Sequence, residues 1–209
     1  MQLDITGNLI FLHIVVALLS YLLGSIPFGL VLTRLAGLGD IRSMGSGNIG
    51  ATNVLRTGNK KLALLTLLLD SGKGGIAALF VYHIYPSSEH GIDFAINAGL
   101  AAVLGHNFSI WLHFRGGKGF ATTLGTLLAI AWPIGLFACF IWVLVALISR
   151  YSSLAAIVSL ATSPLYAWYL GSERILILTV LLATLGICRH HENIRRLLKG
   201  DEEKIRGEK

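Results

Sequence analysis

At 209 residues, with 54% hydrophobic and only 13% charged side chains and a mean hydropathy of +0.70, the chain is too apolar for a water-soluble domain. Soluble domains carry roughly a quarter charged residues. The net charge of +6 sits at the edges of apolar segments rather than on a soluble basic domain, which excludes a nucleic-acid-binding module. The length admits one compact bundle over residues 1–209, with no internal repeat and no linker dividing it.

In chain order the apolar segments are residues 9–35, 62–82, 94–112, 120–131, 133–148, 154–170 and 175–188. The first lacks a basic leader and a small-residue cleavage site, so it reads as a retained span. It contains Gly24, Pro27 and Gly29, which predict close helix packing and a kink. The second carries Asp70 and Lys73 well inside its apolar run; three-residue spacing puts the two on one helical face, paired and turned into the bundle. The fourth, twelve residues long, is short for a span of about 20 residues. It predicts a partial span beside a polar cavity, since irregular backbone at membrane depth needs protein or water around it. Cys139 and Cys188 lie in apolar segments without metal-like spacing and read as packing residues.

Charge assigns the sides. Arg34, Arg42, Arg56, Lys60 and Lys61 flank one connection, Arg115 and Lys118 another, and Arg150 a third. Arg189, Arg195, Arg196, Lys199, Lys204, Arg206 and Lys209 crowd the C-terminus. The turns at residues 86–93 and 132–133 have no Lys or Arg, and the turn at residues 171–173 has only Arg174 beside it. The positive-inside rule then predicts an all-α integral membrane protein of seven transmembrane helices, some short or partial. Its N-terminus lies outside, and its C-terminus is cytoplasmic with a charged, unconstrained tail at 200–209. Five spans with re-entrant pieces is the competing topology.

Three motifs interrupt the apolar pattern, all on the predicted cytoplasmic side. GSGNIGATN (residues 45–53) packs three glycines and four hydroxyl or amide side chains into nine residues and is followed by Arg56. Glycines let backbone N–H groups converge on an oxyanion. Ser46, Asn48, Thr52 and Asn53 offer further donors, and the Arg56 guanidinium suits phosphate. The plain alternative is a polar turn, but no charged filler interrupts the nine residues. RGGKG (residues 115–119) lacks the full nucleotide P-loop pattern. It still places Lys118 in flexible backbone at a helix start, where amides and the helix dipole favour an anion. RHHENIRR (residues 189–196) puts His190 and Asn193 on one helical face, with Glu192 turned away. Arg195, Arg196 and Lys199 suit lipid headgroups. His106 and Asn107, after Gly105, form a weaker companion.

These residues resemble a known family. GSGNIGATNVLR, the Asp70–Lys73–Gly74 stretch, GHNF, RGGKGFATT, YSSLAAI and RHHENIRRL look like the membrane-embedded bacterial acyl-phosphate:glycerol-3-phosphate acyltransferases of the PlsY type, from about Tyr21 to Leu198. The resemblance implies acyl transfer from acyl phosphate to the 1-hydroxyl of sn-glycerol 3-phosphate, giving lysophosphatidic acid and inorganic phosphate for phospholipid biosynthesis. It implies neither metal, cofactor nor acyl-CoA, no obligatory protein partner, and a place in the bacterial inner membrane. By motif position, Ser46, Arg56, Lys118, His190 and Asn193 would serve glycerol 3-phosphate. Gly47, Asn48, Gly50, Ala51, Thr52, Asn53 and Ser153 would hold the donor phosphate, with the adjacent Ser152 left as an alternative to Ser153. The rival class is a carrier for a phosphorylated metabolite, against which stand the one-sided motifs and the lack of half-repeats. The hydroxyl proton goes either to a substrate phosphate oxygen or to His190.

Overall fold

The computed structural model describes residues 2–85, 90–170 and 173–205, with side chains from residue 7 onward. Pro86 and Gly171 of the expected turns, and Arg206 and Lys209 of the basic C-terminus, lie outside the described residues. The elements are helices α1 (Gln2–Ser25), α2 (Phe28–Leu35), α3 (Ala51–Arg56), α4 (Lys60–Ile84), α5 (Gly91–Asn107), α6 (Phe120–Ile130), α7 (Trp132–Ser149), α8 (Ser152–Leu170), α9 (Glu173–Arg189) and α10 (His191–Lys199). Short 3-10 turns at Ile41–Ser43 and Ile110–Leu112 complete them, and no strand occurs among the described residues.

The surface is inverted relative to a soluble protein. Phe80, Leu147, Trp168 and Tyr169 are 65–79% exposed, while Ser25, Thr33, Thr66, Asp70, Lys73, Thr122, Ser159 and Thr179 are buried. Lipid removes the usual drive to hide leucine, so helices associate through close packing and interhelical polar contacts. Gly24 lies against the Ala102 backbone, and Gly125 against the Ser71 carbonyl. Ser159 Oγ donates to Ala138 O at 2.7 Å, tying α8 to α7.

Packing passes from α1 to α5, α4, α6, α7, α8 and α9, and α9 returns to α5. One core joins five of these helices through Val103, Leu127, Ile134, Ala167, Leu178 and Leu182. A separate cluster of Leu30, Ile41, Ile49, Val54, Ala63 and Leu112 sits under the first glycine-rich motif.

Five helical stretches are long and apolar enough to cross a membrane: Gly7–Leu35, Lys60–Ile84, Gly91–Leu112, Trp132–Ser149 and Ser152–Leu170. α9 and α10, bent by 58°, give a sixth if they count as one span. The remaining expected span, α6, has 11 residues, about 16 Å at 1.5 Å per residue. The kink expected in the first span is a full break, because Pro27 has no N–H to donate and its ring crowds the preceding turn. Lys73 reaches that break from α4 and donates to Ile26 O at 3.0 Å. It also pairs with Asp70 at 2.9 Å, with both side chains almost fully buried, so the expected pair forms and faces inward. Cys188, read as a packing residue, is exposed on α9, whereas Cys139 is half-buried.

Candidate active site

The first motif is organised by one side chain. Asn53, 1% exposed, donates through Nδ2 to the carbonyls of Ile41, Met44 and Asn48 at 2.8–3.0 Å. Its Oδ1 accepts from Ser46 N at 3.1 Å and from Arg56 at 3.4 Å. Asn53 therefore shapes the loop, and its amide protons are already in use. Gly47, at φ +69°, occupies a left-handed position that glycine favours. It is exposed, and its N–H goes to Met44 O, so that amide is not free for an anion as expected. Gly50 is the N-cap of α3 and brings no side-chain cap, leaving the helix's first amides uncapped. Arg34 and Arg42 both pair with Asp40, at 2.7 and 2.6 Å. They hold its carboxyl well below the usual carboxylate range, with the Arg42 bonds as the largest cause.

The second motif is not the flexible stretch its composition suggests. Gly116 N donates to Asn107 O and Gly117 N to His106 O, at 3.2 and 3.0 Å. Arg189 from the third motif donates to the carbonyls of Gly116 and Gly117, both at 3.2 Å. An added Cβ at Gly117 would meet the His106 ring, and Gly119 is left-handed at φ +78° against the Asn107 side chain. His106 is itself anchored, accepting from Lys73 Nζ through Nδ1 at 2.7 Å. The buried Asp70–Lys73–His106 chain thus supports the loop that carries Lys118. Burial pushes the Lys118 ammonium down to about 8 despite the nearby Glu202 carboxylate.

In the third motif the chain turns by 58° between α9 and α10, and His190 occupies the corner. The ring is 3% exposed, and Nδ1 lies 2.7 Å from Gly186 O. A carbonyl only accepts, so Nδ1 carries the proton and Nε2 keeps its lone pair. Burial pushes this imidazole down to about 4, leaving it neutral at pH 7. Asn193 is buried, while His191 and Glu192 point out to solvent.

One cavity of about 510 Å³ collects the three motifs. Ser46, Asn48, Gly50, Ala51, Thr52, Asn53, Arg56, Lys118, Ser153, His190 and Asn193 line it; of the twelve residues that the resemblance assigned to the substrates, only Gly47 does not. Ser152 lines it too and shares a 3.0 Å hydrogen bond with Thr52, so both serines of the pair face the site. The cavity has an apolar half as well: Leu64, Leu67, Leu124, Phe120, Trp142 and Val143. Leu64, Leu67 and Val143 are also 42–57% exposed, so the cavity's apolar wall continues onto the outer apolar surface of α4 and α7. Nothing in the sequence distinguished these residues from other span residues.

The profile of the glycerol-3-phosphate acyltransferase family matches residues 14–200. The chain belongs to that family. It is 61% identical over 199 residues to a glycerol-3-phosphate acyltransferase of Rhodospirillum rubrum, covering 93% of this chain and 92% of the relative. It is 57% identical to that of Paramagnetospirillum magneticum, covering 95% and 96%. Its fold is similar to the crystal structure of PlsY (YgiH), an integral membrane glycerol 3-phosphate acyltransferase, in the glycerol 3-phosphate form. There the TM-score is 0.85 at 40% identity, covering 92% of this chain and 94% of that one. The lysophosphatidic acid form of PlsY aligns with a TM-score of 0.83 at 39% identity. The chain is therefore a multi-pass membrane acyltransferase.

The C-terminal segment departs from expectation. Read from sequence as an unconstrained tail, it folds back over the cavity. Glu202 accepts from Ser153 Oγ at 2.6 Å, Asn193 Nδ2 at 2.7 Å and Arg196 Nε at 2.7 Å. Glu203 pairs with Arg56 at 3.2 Å. Arg196, assigned to lipid headgroups, is thereby engaged within the protein.

Proposed function

We propose that this acyltransferase moves an acyl group from acyl phosphate to the 1-hydroxyl of sn-glycerol 3-phosphate, releasing lysophosphatidic acid and inorganic phosphate. The observation that carries the reading is the single cavity. It joins cations from motifs far apart in the chain, Arg56 and Lys118, to an apolar wall that continues onto the outer apolar surface. Two phosphate head groups need fixed positive charge and donors to approach one another, and an acyl tail needs a route that never leaves the bilayer. The names of the relatives point to the same acceptor.

In this reading Ser46, Arg56, Lys118, His190 and Asn193 hold glycerol 3-phosphate. The uncapped α3 amides at Ala51 and Thr52, with Asn48, Gly50 and Ser153, hold the donor phosphate. Asn53 keeps the loop in shape. The acceptor hydroxyl oxygen forms a bond to the acyl carbonyl carbon, the carbon–oxygen bond to phosphate breaks, and phosphate leaves with that electron pair. The mixed anhydride is already activated, so the main task is to hold the hydroxyl oxygen over the face of the acyl carbonyl carbon. His190 is neutral with one lone pair, and its depressed basicity favours a positioning role. The hydroxyl proton then passes to a substrate phosphate oxygen.

The basic connections gather at the cavity end: Arg56, Lys60 and Lys118 line it, and Arg189 clamps its loop. By the positive-inside rule this end faces the cytoplasm of a bacterial inner membrane. Seven passes, with α6 the short one, then place the N-terminus outside and the C-terminus inside, in one domain. Purified protein given labelled glycerol 3-phosphate with synthetic acyl phosphate, or with acyl-CoA, tests the reading. Lysophosphatidic acid forming from acyl phosphate alone supports it. Transport into vesicles without product, or equal use of acyl-CoA, refutes it. Single-cysteine labelling from either side of sealed vesicles tests the orientation.

A further inference from the structure

We propose that Glu202 and Glu203 set substrate affinity: the C-terminal acidic segment is an intramolecular ligand of the phosphate cavity that incoming phosphate must displace. The inference rests on the reading of that cavity as the substrate site.

Glu202 is not a solvated tail residue. Its side chain is 6% exposed, and its two oxygens take three donors at 2.6–2.7 Å, from Ser153, Asn193 and Arg196. Those bonds keep the carboxyl below its ordinary value despite the cost of burial, so it is an anion at neutral pH. An anion with three short charge-assisted bonds thus engages donors assigned above to both phosphates, Asn193 to glycerol 3-phosphate and Ser153 to acyl phosphate. Glu203 is more exposed, at 54%, and meets one cation: Arg56 contacts both its carboxylate, at 3.2 Å, and its backbone carbonyl, at 3.3 Å. The segment is pinned at its far end by Ile205 N donating to Arg150 O at 2.8 Å. Two carboxylates thus contact groups from the first motif, the third motif and the α8 start, and Glu202 also lies within electrostatic reach of Lys118.

Like-charged groups gathered in a partly dry cavity repel one another when no anion is present. The segment supplies the missing counter-charge from the chain itself. Carboxylates suit this role because each carries one negative charge and two acceptor atoms. A phosphate dianion carries about −2 with three acceptor oxygens and so out-competes them. The resting cavity stays assembled, and substrate binds by exchange rather than into an empty cationic site. A segment docked for nine-tenths of the time raises the apparent dissociation constant about tenfold.

Two measurements on the full chain in detergent test this. The first is steady-state kinetics of the double variant Glu202→Gln/Glu203→Gln, which keeps shape and removes charge. The expected result is a KM for glycerol 3-phosphate about tenfold lower, with kcat within about twofold. An unchanged or higher KM overturns the proposal, because a purely structural tail would weaken binding when cut loose. The second is amide exchange at residues 201–205 of the unaltered protein. It should speed up on adding inorganic phosphate or glycerol 3-phosphate; no change overturns the proposal whatever the kinetics. The inorganic phosphate arm needs no acyl transfer and no folded variant. It therefore decides the tail's role even if the acyl-phosphate reading fails, and a working transferase with static tail exchange fails the tail proposal alone.

Discussion

Lys118 offers the sharpest quantitative check on the cavity. Its ammonium lies at about 8 instead of 10.5 because burial disfavours the charged form, and the nearby Arg56 and Arg196 add to the effect. If the charged form binds the glycerol 3-phosphate dianion, activity must fall on the alkaline side as the proton leaves. The direction follows from a lowered value: Lys118 is fully charged well below pH 8, half charged near it, and about one part in eleven charged a unit higher. The profile of kcat/KM reports the free enzyme, in which no substrate anion yet holds the proton on. It should be flat near pH 7 and fall about tenfold by pH 9.

The companion variant is Lys118→Arg, whose guanidinium keeps its charge throughout this range. It should lose the alkaline limb while showing a weaker absolute KM, since a fork replaces a point charge. The assay is initial-rate formation of labelled lysophosphatidic acid from pH 6.5 to 9.5, with uncatalysed acyl phosphate hydrolysis subtracted at each pH. A wild-type profile flat to pH 9.5 would refute the reasoning. So would a limb that survives unchanged in the arginine variant, since the titrating group would then lie elsewhere.

Other perturbations separate positioning from chemistry. His190→Ala should cost roughly 10²–10³ in kcat, the scale of a lost oxyanion-site donor, with His190→Gln recovering much of it. Wild-type rates should show no limb at the ordinary histidine value; one that vanishes in both variants would assign His190 as the base. Gly117→Ala should cost about 10² in kcat/KM, because the added methyl meets the anchored His106 ring and shifts Lys118. Gly7→Ala, with open space around its Cβ, should leave both activity and melting temperature unchanged. Lys73→Met strands Asp70 as a buried lone charge, at about 3–5 kcal/mol, and should lower the melting temperature in detergent sharply. Adding Asp70→Asn should restore most of that stability; an equal loss in the double variant would contradict the pairing.

Sequence carried the parts of this architecture that a local rule governs. Lipid demands long apolar helices, so the spans were visible in hydropathy, and three-residue spacing was enough to pair Asp70 with Lys73. The glycine-rich basic motifs stood out because few segments of so apolar a chain combine glycine, amide and cation, and the structure gathers them at one cavity. What escaped depends on segments meeting in space. His106 looked like a weak companion because nothing local says that its ring will fill the space over Gly117. Asn53 looked like one more donor, yet its side chain is consumed by three carbonyls of its own loop, a role set by the path from Ile41 to Asn48. Glu202 and Glu203 were lost in a basic tail, where charged residues ordinarily face water. The break between Ser25 and Phe28 was readable as a kink from Pro27, but the donor that meets its freed Ile26 carbonyl, Lys73, arrives from another helix.

The short α6 explains why a buried charge network is worth keeping in this bundle. If α6 is the short seventh pass proposed above, its eleven residues fall well short of a hydrocarbon core about 30 Å thick, which would draw the RGGKG backbone toward membrane depth. Irregular backbone survives there only if every N–H and C=O finds a partner within the protein. The carbonyls of His106 and Asn107 accept the glycine amides, and Arg189 supplies donors for the glycine carbonyls. His106 can face the loop so closely only if its ring is fixed from behind, which is what Lys73 does while Asp70 balances its charge. The same enclosure that satisfies the loop strips water from Lys118 and lowers its proton affinity. A lysine so placed gains more from an arriving phosphate than an exposed one would, because the ligand restores the charge balance that burial removed. Site strength and helix shortness are therefore one property: a variant that lengthened α6 by a turn through the glycines should lose phosphate affinity even with Lys118 retained.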